Sequence, residues 1–284
     1  MMTGVGTLYL VATPIGNLED ISQRALRTLT QVALIAAEDT RHTARLLSHY
    51  SIRTPVTSYF EHNKLSKLDQ VLKALESGDV ALVSDAGTPA LNDPGYELVK
   101  AALEKGYRVT PIPGPSAPLA ALVVSGLPSD GFLYLGYLPR KQNDRRQLLS
   151  RVADQPYTLI FLESPHRLVA SLTDLLDLLG DREICIAREM TKLHEELVRG
   201  KLSDALAHFQ NQPARGEFTL VLAGATISKT RWSEDQIRSA IQQQIISGEP
   251  ASRIARQLTV QSGWSRREIY TLVNRLQSTE KTGS

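Results

Sequence analysis

Short apolar runs alternate with amphipathic segments through the first 118 residues. The runs that predict buried strands are Thr7–Ala12, Val32–Ala37, Val56–Tyr59, Val80–Ser84 and Tyr107–Ile112. Between the runs, apolar residues recur at helical spacing, and the segment Lys64–Ser77 is one such predicted helix, which Asn63 could cap. Alternating strands and helices are typical of a parallel, doubly wound sheet. We therefore predict an N-terminal α/β domain over residues 1–118.

The pattern changes after Gly126. Five further segments are strand-like: Phe132–Leu138, Tyr157–Glu163, Arg182–Met190, Glu195–Arg199 and Glu217–Ala223. Helical spacing marks Arg145–Ala153, Arg167–Leu179 and, more weakly, Leu202–Phe209. No helix separates the third and fourth strands, so these two should pair antiparallel. We predict a mixed α/β domain over residues 119–225.

A polar linker, Thr226–Arg231, precedes a helical C-terminal extension over residues 226–284. Its three helical patterns are Glu234–Ile246, Ala251–Val260 and Arg266–Leu276. The last two, separated by a turn at Gly263, have the shape of a helix-turn-helix. A plain three-helix module fits the same pattern equally well.

Composition indicates an ordinary globular protein. The chain has 284 residues, 42% of them hydrophobic, and nowhere 18 consecutive apolar residues. The N-terminal apolar run is short and lacks a basic flank, so we expect neither a signal peptide nor a membrane span, and a cytoplasmic location. Cys185 is the single cysteine, which excludes an intrachain disulfide and a cysteine-based zinc site. We expect no metal.

Positive charge is concentrated in two places, although the net charge is only +2. From residue 226 onward there are nine lysines and arginines against five acidic residues. A second basic cluster comprises Arg140, Lys141, Arg145, Arg146 and Arg151. Such patches suit a polyanion, although a solvated helix face explains any one of them equally simply.

Three loops rich in proline and glycine follow predicted strands. They have the sequences TPIGN, SDAGTPALNDPG and PIPGPSAP. Ligands of open α/β sheets bind at the carboxyl ends of the strands, so these loops predict one pocket, although an ordinary connection explains each loop alone. Neither a dinucleotide fingerprint nor a phosphate-binding loop occurs, which disfavours a polyphosphate ligand. Ser116 could cap the helix after the third loop, whose N-terminus would attract a carboxylate or phosphate.

Eight segments together resemble one known family. They are TPIGNLEDIS, AEDTRHT, YFEHN, VSDAGTPALNDPG, PIPGPSA, LESPHR, REMTKLHEE and GEFTLVLAG. In this order they closely resemble the motifs of the bacterial ribosomal RNA small-subunit methyltransferase I family, which belongs to the tetrapyrrole-methylase-like enzymes dependent on S-adenosylmethionine. The resemblance spans about residues 4 to 224. It implies 2′-O-methylation of a cytidine ribose in 16S ribosomal RNA, with the assembled small subunit as the expected partner, and a homodimer.

The resemblance also implies a cofactor site in the cleft between the first two domains. S-adenosylmethionine would contact Pro14, Ile15, Asp85, Ala86, Gly87, Thr88, Ser116, Ala117, Leu138, Leu162, Glu163 and Thr219. For Glu163, a surface pairing with His166 or Arg167 explains the residue equally well. The RNA would contact Arg41, Arg140, Lys141, Arg145, Arg146, Arg253, Arg256, Arg266 and Arg267.

A ribose hydroxyl is a poor nucleophile, so such a reaction benefits from a general base. Glu38, Asp39 and His42 follow one predicted strand, and His62 follows the next. Each is a candidate base; His42 could instead face solvent, and Asp39 could form a structural pair with Arg41.

Two other functions fit parts of the sequence. A methyltransferase acting on a small tetrapyrrole could share the first two domains, but would not need the basic tail. A regulator without enzyme activity could combine a ligand-binding core with a helix-turn-helix, but would not need the candidate bases.

Overall fold

The computed structural model describes residues 6–60, 64–226 and 232–282. The chain divides into two compact units, residues 1–225 and residues 226–284. His62 and Asn63, together with the predicted linker residues 227–231, lie outside the described residues. No described helix combines the length and the apolar character needed to cross a membrane.

The first sheet is parallel, and helices cover both of its faces. Its strands are β1 (Thr7–Val11), β2 (Leu34–Ala37), β3 (Val56–Ser58), β4 (Val80–Val83) and β5 (Arg108–Ile112), in the spatial order β3-β2-β4-β1-β5. The helices are α1 (Gln23–Gln31), α2 (Thr40–His49), α3 (Lys64–Ser77) and α4 (Tyr96–Glu104). The predicted fold class, a doubly wound sheet followed by a mixed sheet, is confirmed.

Strand β4 shows why this sheet is covered twice. Ala81 and Val83 pack into a core with residues of α1 and α2, whereas Val80 and Leu82 pack into a core with residues of α3 and α4. Alternate side chains of a strand point to opposite faces, so a strand that is apolar at every position needs an apolar partner on each side. The loop after β4 therefore starts from the most buried strand of the sheet, all four of whose residues are buried.

The second sheet is mixed. Its strands are β6 (Phe132–Tyr137), β7 (Thr158–Glu163), β8 (Glu183–Arg188), β9 (Glu196–Lys201) and β10 (Phe218–Leu222), in the order β6-β7-β10-β8-β9. Only β6 and β7 pair in parallel; the antiparallel pairing of β8 with β9 is as predicted. The helices α6 (Gln142–Val152), α7 (Leu168–Leu179) and α8 (Leu202–Asn211) pack on one face of this sheet.

The other face of the second sheet is covered by α5 (Ala117–Ser125). Ala121 and Leu122 of this helix pack against Ile160, Cys185 and Val221. The predicted boundary at residues 118/119 thus falls inside a helix that belongs, by its packing, to the second sheet. Because α5 begins directly after the third loop of the first sheet, it brings the edges of the two sheets together.

The C-terminal unit is a bundle of α9 (Glu234–Ile246), α10 (Ala251–Ser262) and α11 (Arg266–Thr282). Ser233 and Gln236 form a capping box at the start of α9. The buried core consists of Ile237, Ile241, Ile254, Ala255, Leu258, Ile269, Leu272 and Val273. Gly263, with φ of 69°, makes the turn between α10 and α11.

Candidate active site

The structure brings the three loops together at the carboxyl edge of the first sheet. Thr13 and Gly87 exchange backbone hydrogen bonds of 2.9 and 3.0 Å, which join the first loop to the second. The Thr88 hydroxyl donates to the carbonyl of Pro115 at 3.3 Å, which joins the second loop to the third. Gly87 has φ of +81°, a conformation that L residues with a side chain rarely adopt. Hydrogen bonds that end on backbone groups therefore join the three loops to one another.

A first cavity of ≈ 240 Å³ lies between these loops and the second sheet. Four carboxylates line it: Glu38, Asp85, Asp93 and Glu217. Its remaining lining residues include the backbone of 86–88, the start of α5, and the side chains Ile15, Tyr134, Tyr137, Leu162, Met190, Phe218 and Thr219. No lysine or arginine is among the described residues that line it. The cavity suits a ligand that carries positive charge together with apolar surface.

A second cavity of ≈ 350 Å³ adjoins the first. Ile15, Asp85, Ala86 and Glu217 line both cavities, so these four residues form the wall that they share. The second cavity is also lined by His42, Arg45 and Lys192. The two cavities thus form one cleft with two chambers of different charge.

Two of the carboxylates are joined through backbone groups. The Asp39 N–H donates to Asp85 Oδ1 at 3.0 Å, and the Asp85 N–H donates to Glu38 Oε2 at 3.2 Å. These reciprocal bonds connect the end of β2 to the end of β4. Both carboxylates are therefore held in place at the carboxyl edge of the sheet, where the cavity begins.

The ionised forms of Glu38 and Asp93 are disfavoured. Burial is the largest cause of the raised pKa of Glu38, and the Asp85 and Asp39 carboxylates add to it. Burial, followed by the neighbouring Glu38 carboxylate, raises the pKa of Asp93 to about 6. Like charges gathered in one partly dry cavity have this effect, and a bound cation relieves it.

Asp39 has the opposite environment. Its carboxylate accepts from the backbone N–H of Arg41 at 2.8 Å, as the N-cap of α2, and pairs with the Arg41 guanidinium at 2.8 Å. The hydrogen bonds from Arg41 hold the pKa of Asp39 well below its usual range. A carboxylate that is so engaged is a weak proton acceptor, and the pairing matches the structural alternative for this residue.

Ser116 is the N-cap residue of α5, but its side chain does not cap the helix. The hydroxyl oxygen is buried and has no hydrogen-bond partner among the described residues. It lines the first cavity together with Ala117. Because the first N–H groups of a helix also lack partners within the helix, this corner offers several donors to one anionic group.

The chamber wall is completed by the loop between β8 and β9. The hydroxyl of Thr191 accepts from the Asn17 N–H at 3.1 Å, so this loop contacts the first loop directly. A Cβ on Gly16 would lie 2.4 Å from the Lys192 side chain, so only glycine permits the contact. Lys192 Nζ donates to Glu189 at 2.9 Å and to Glu217 at 3.0 Å.

Comparison with known proteins decides the family. The model for tetrapyrrole (corrin/porphyrin) methylases matches residues 7–206. A "Ribosomal RNA small subunit methyltransferase I" of Synechocystis is 48% identical over 271 residues, covering 94% of this chain and 97% of the relative. The chain belongs to this methyltransferase family.

A shorter relative and a solved structure extend the comparison. The enzyme of the same name from Thermotoga maritima is 49% identical over 221 residues, which cover 78% of this chain and 99% of the relative. The crystal structure of uroporphyrin III C-methyl transferase from Thermus thermophilus has a TM-score of 0.55 at 22% identity, covering 76% of this chain and 97% of that chain. The latter shows the shared fold.

Most residues that the family resemblance assigned to the cofactor lie in the cleft. Ile15, Asp85 to Thr88, Ser116, Ala117, Leu162 and Thr219 line the first cavity, and Pro14 lines the second. Leu138 and Glu163 line neither cavity. Leu138 is 1% exposed, and Glu163 is buried against Arg167 and Ser171, with an Arg167–Glu163 distance of 2.6 Å. The assignment of these two residues to the cofactor stays a prediction. Glu163 does pair with Arg167, as in the alternative, but it is buried and not at the surface.

The basic residues assigned to RNA have different environments. Arg145 is only 4% exposed and forms a 2.6 Å salt bridge with the buried Asp174, so its assignment to RNA was wrong. Arg146 pairs with Asp174 and Asp177, and Arg41 pairs with Asp39. Arg140, Lys141, Arg253, Arg256, Arg266 and Arg267 are exposed.

Sequence reasoning missed several lining residues. Asp93 lies in the loop SDAGTPALNDPG, but the sequence pattern marks this loop only as rich in proline and glycine. Glu217, Tyr134 and Tyr137 come from the second sheet, and the sequence gives no sign that they face the first. Among the described residues, no group of three or more histidine, cysteine or acidic side chains could hold a metal ion.

Proposed function

We propose that this protein transfers a methyl group from S-adenosylmethionine to the ribose 2′-hydroxyl of a cytidine in 16S ribosomal RNA. Membership of the methyltransferase family supports the reaction class. The names of the relatives support a ribosomal RNA of the small subunit as the substrate. The cytidine and the 2′-hydroxyl are the finer part of the proposal and rest on the resemblance of the motifs.

The observation that carries the proposal is the charge of the first cavity. S-adenosylmethionine bears a sulfonium and an ammonium, and four carboxylates line the cavity without a lysine or arginine among the described lining residues. Its single carboxylate would be received by the buried Ser116 hydroxyl and the start of α5. The charges of the lining residues therefore suit the charges of the cofactor.

When bound, the cofactor supplies a methyl group on a positively charged sulfur, which leaves as a neutral thioether. The protein's part is to orient the acceptor oxygen in line with that methyl group and to exclude water. Glu38 and Asp85, held by their reciprocal backbone bonds, would orient the cationic groups of the cofactor. Proton removal from the acceptor falls to one of the four candidate bases, among which Asp39 is already engaged by Arg41.

Label transfer tests the function directly. The purified protein is incubated with methyl-labelled S-adenosylmethionine and, separately, with protein-free 16S RNA, assembled small subunits and a corrinoid. We expect label in the RNA, at an alkali-resistant position because a 2′-O-methyl group blocks strand cleavage. Label in the corrinoid alone would favour the tetrapyrrole alternative. Tight cofactor binding without transfer to any acceptor would favour a regulator.

Two further proposals concern the location and the oligomeric state of the protein. A ribosomal substrate places the protein in the cytoplasm. We also propose a homodimer, as the resemblance implies, because Leu119 and Val123 of α5 are 49% and 74% exposed on the helix face opposite its sheet contact. Sedimentation equilibrium of the protein and of a Val123→Glu variant would test this: a monomer in both cases contradicts it.

A further inference from the structure

The two chambers of the cleft favour ligands of opposite charge. The first chamber is lined by four carboxylates and would repel a phosphodiester. The second retains two of these, Asp85 and Glu217, but adds Arg45, Lys192 and His42. A nucleic acid strand that reaches the cleft is therefore favoured on the second side, where positive charge can replace its counterions.

Among the described residues that line the second chamber, Arg45 is a cation without a described partner. Lys192 is already bonded to Glu189 and Glu217. Arg45 is exposed on α2, and no hydrogen bond or salt bridge joins it to any described residue. Its planar guanidinium can donate two parallel hydrogen bonds to one phosphate, which is the geometry that a phosphodiester requires.

The shared wall sets where the two ligands meet. Ile15, Asp85, Ala86 and Glu217 face both chambers, so a methyl donor in the first and an acceptor in the second approach each other across these residues. The backbone pairing of Thr13 with Gly87 fixes the position of this wall. An in-line transfer needs such a fixed boundary between donor and acceptor.

We propose that the second chamber receives the target ribose with its flanking phosphate, and that Arg45 binds this phosphate. The proposal rests on the proposed function and adds to it the acceptor subsite. Arg45 is a binding residue here: it holds the strand so that the hydroxyl reaches the shared wall, and it takes no part in proton transfer. His42, one turn earlier on α2, lies in the same chamber as the acceptor.

The test compares Arg45→Gln with Arg27→Gln. Arg27 is an exposed arginine of α1 that lines neither chamber, so its substitution removes the same charge from another surface. For each protein we would measure the affinity for S-adenosylmethionine, and the affinity for small-subunit RNA over a salt series. The kcat and KM of methyl transfer to that RNA complete the comparison.

We expect Arg45→Gln to bind the cofactor normally and to bind RNA at least about tenfold more weakly, because it loses its charged hydrogen bonds to the phosphate. The slope of log affinity against log salt should become shallower by about 0.7, one contact to a single strand. KM for RNA should rise with little change in kcat. Arg27→Gln should match the wild type in all of these measurements.

Three results would overturn the inference. If the wild type methylates RNA while Arg45→Gln and Arg27→Gln have the same RNA affinity and salt slope, the acceptor subsite lies elsewhere and the proposed function stands. If Arg45→Gln weakens cofactor binding as much as RNA binding, Arg45 serves the donor. If the wild type methylates a corrinoid but neither binds nor methylates RNA, the proposed function fails together with the inference.

Discussion

Asp93 shows how one residue can link protonation to ligand binding. Burial and the Glu38 and Asp85 carboxylates raise its pKa to about 6, from an ordinary value of 3.8. The folded protein thus holds this proton more tightly than the unfolded chain does. The protonated side chain therefore contributes stability to the folded state below about pH 4, and this contribution is lost as the pH rises through about 6. A bound cation would reverse this by favouring the ionised carboxylate.

We therefore expect the affinity for S-adenosylmethionine to rise as the pH increases from about 5 to about 7, because ionised Asp93 attracts the cation. Asp93→Asn should flatten this dependence. Without cofactor, the variant should melt at a higher temperature than the wild type near pH 7.5 and at a similar temperature near pH 4. Calorimetric titration and thermal melts measure both effects; a cofactor affinity of the wild type that does not change with pH would contradict the assignment.

Asp39 should act as a helix cap and not as a base. Asp39→Ala removes the acceptor for the Arg41 N–H and should lower the melting temperature of the protein. Asp39→Asn keeps a capping oxygen and should retain both stability and a near-normal single-turnover rate. A fall of about 10²- to 10⁴-fold for the folded Asp39→Asn variant would instead identify Asp39 as the general base.

At the scale of elements, the sequence predicted what depends on local periodicity. The β4 run is apolar at every position because both faces of the strand are covered, and the helices follow from apolar spacing. The sequence alone could not show that Arg145 is buried whereas Arg146, its neighbour on α6, is partly exposed. Only the position of Asp174 on α7, 29 residues later, makes the first a buried partner and the second a half-exposed one. The sequence also did not show that Asp93 and Glu217 line one cavity, because their proximity depends on how the two sheets pack.

The salt bridge between α6 and α7 should be needed for stability. We expect Arg145→Ala to lower the unfolding free energy by about 3 to 5 kcal/mol, since it leaves the Asp174 carboxylate buried without its closest partner. Arg146→Ala is the matched control and should lower the unfolding free energy much less, because Arg146 is 37% exposed. Urea unfolding compares the two; similar losses for both variants would show that the buried pair has no special role.

The last residues of the first unit, 224 and 225, contact residues 155 and 156 of the same unit. The Ala225 N–H donates to the Gln155 carbonyl at 2.7 Å, and a Cβ on Gly224 would lie 2.2 Å from the Pro156 oxygen. The Thermotoga relative, 99% of which matches 221 residues, is about as long as this unit alone. The first unit should therefore fold without the C-terminal bundle.

We expect truncation after Ala225 to leave cofactor affinity unchanged, to weaken RNA binding and to flatten its salt dependence. The reason is the loss of the exposed arginines 253, 256, 266 and 267. A full-length variant with these four changed to glutamine is the control, and should reproduce the effect on RNA without shortening the chain. If truncation leaves the salt slope unchanged, the bundle is a packing module without a role in RNA binding.

Cys185, the single cysteine of the sequence, is fully buried on β8 of the second sheet and can therefore report the opening of that sheet. Burial also raises the pKa of its thiol. The native state therefore resists alkylation for two reasons: the reagent cannot reach the sulfur, and the thiol stays protonated. Under conditions where opening and closing are fast, the alkylation rate measures the population of molecules in which this sheet has opened. A ligand that binds only the closed cleft must slow that rate by a factor of about 1 + [ligand]/Kd. Mass spectrometry can follow alkylation of Cys185 in the wild-type chain. It could thus rank methyl donors and acceptors by the protection they give, without catalytic turnover and without an engineered cysteine.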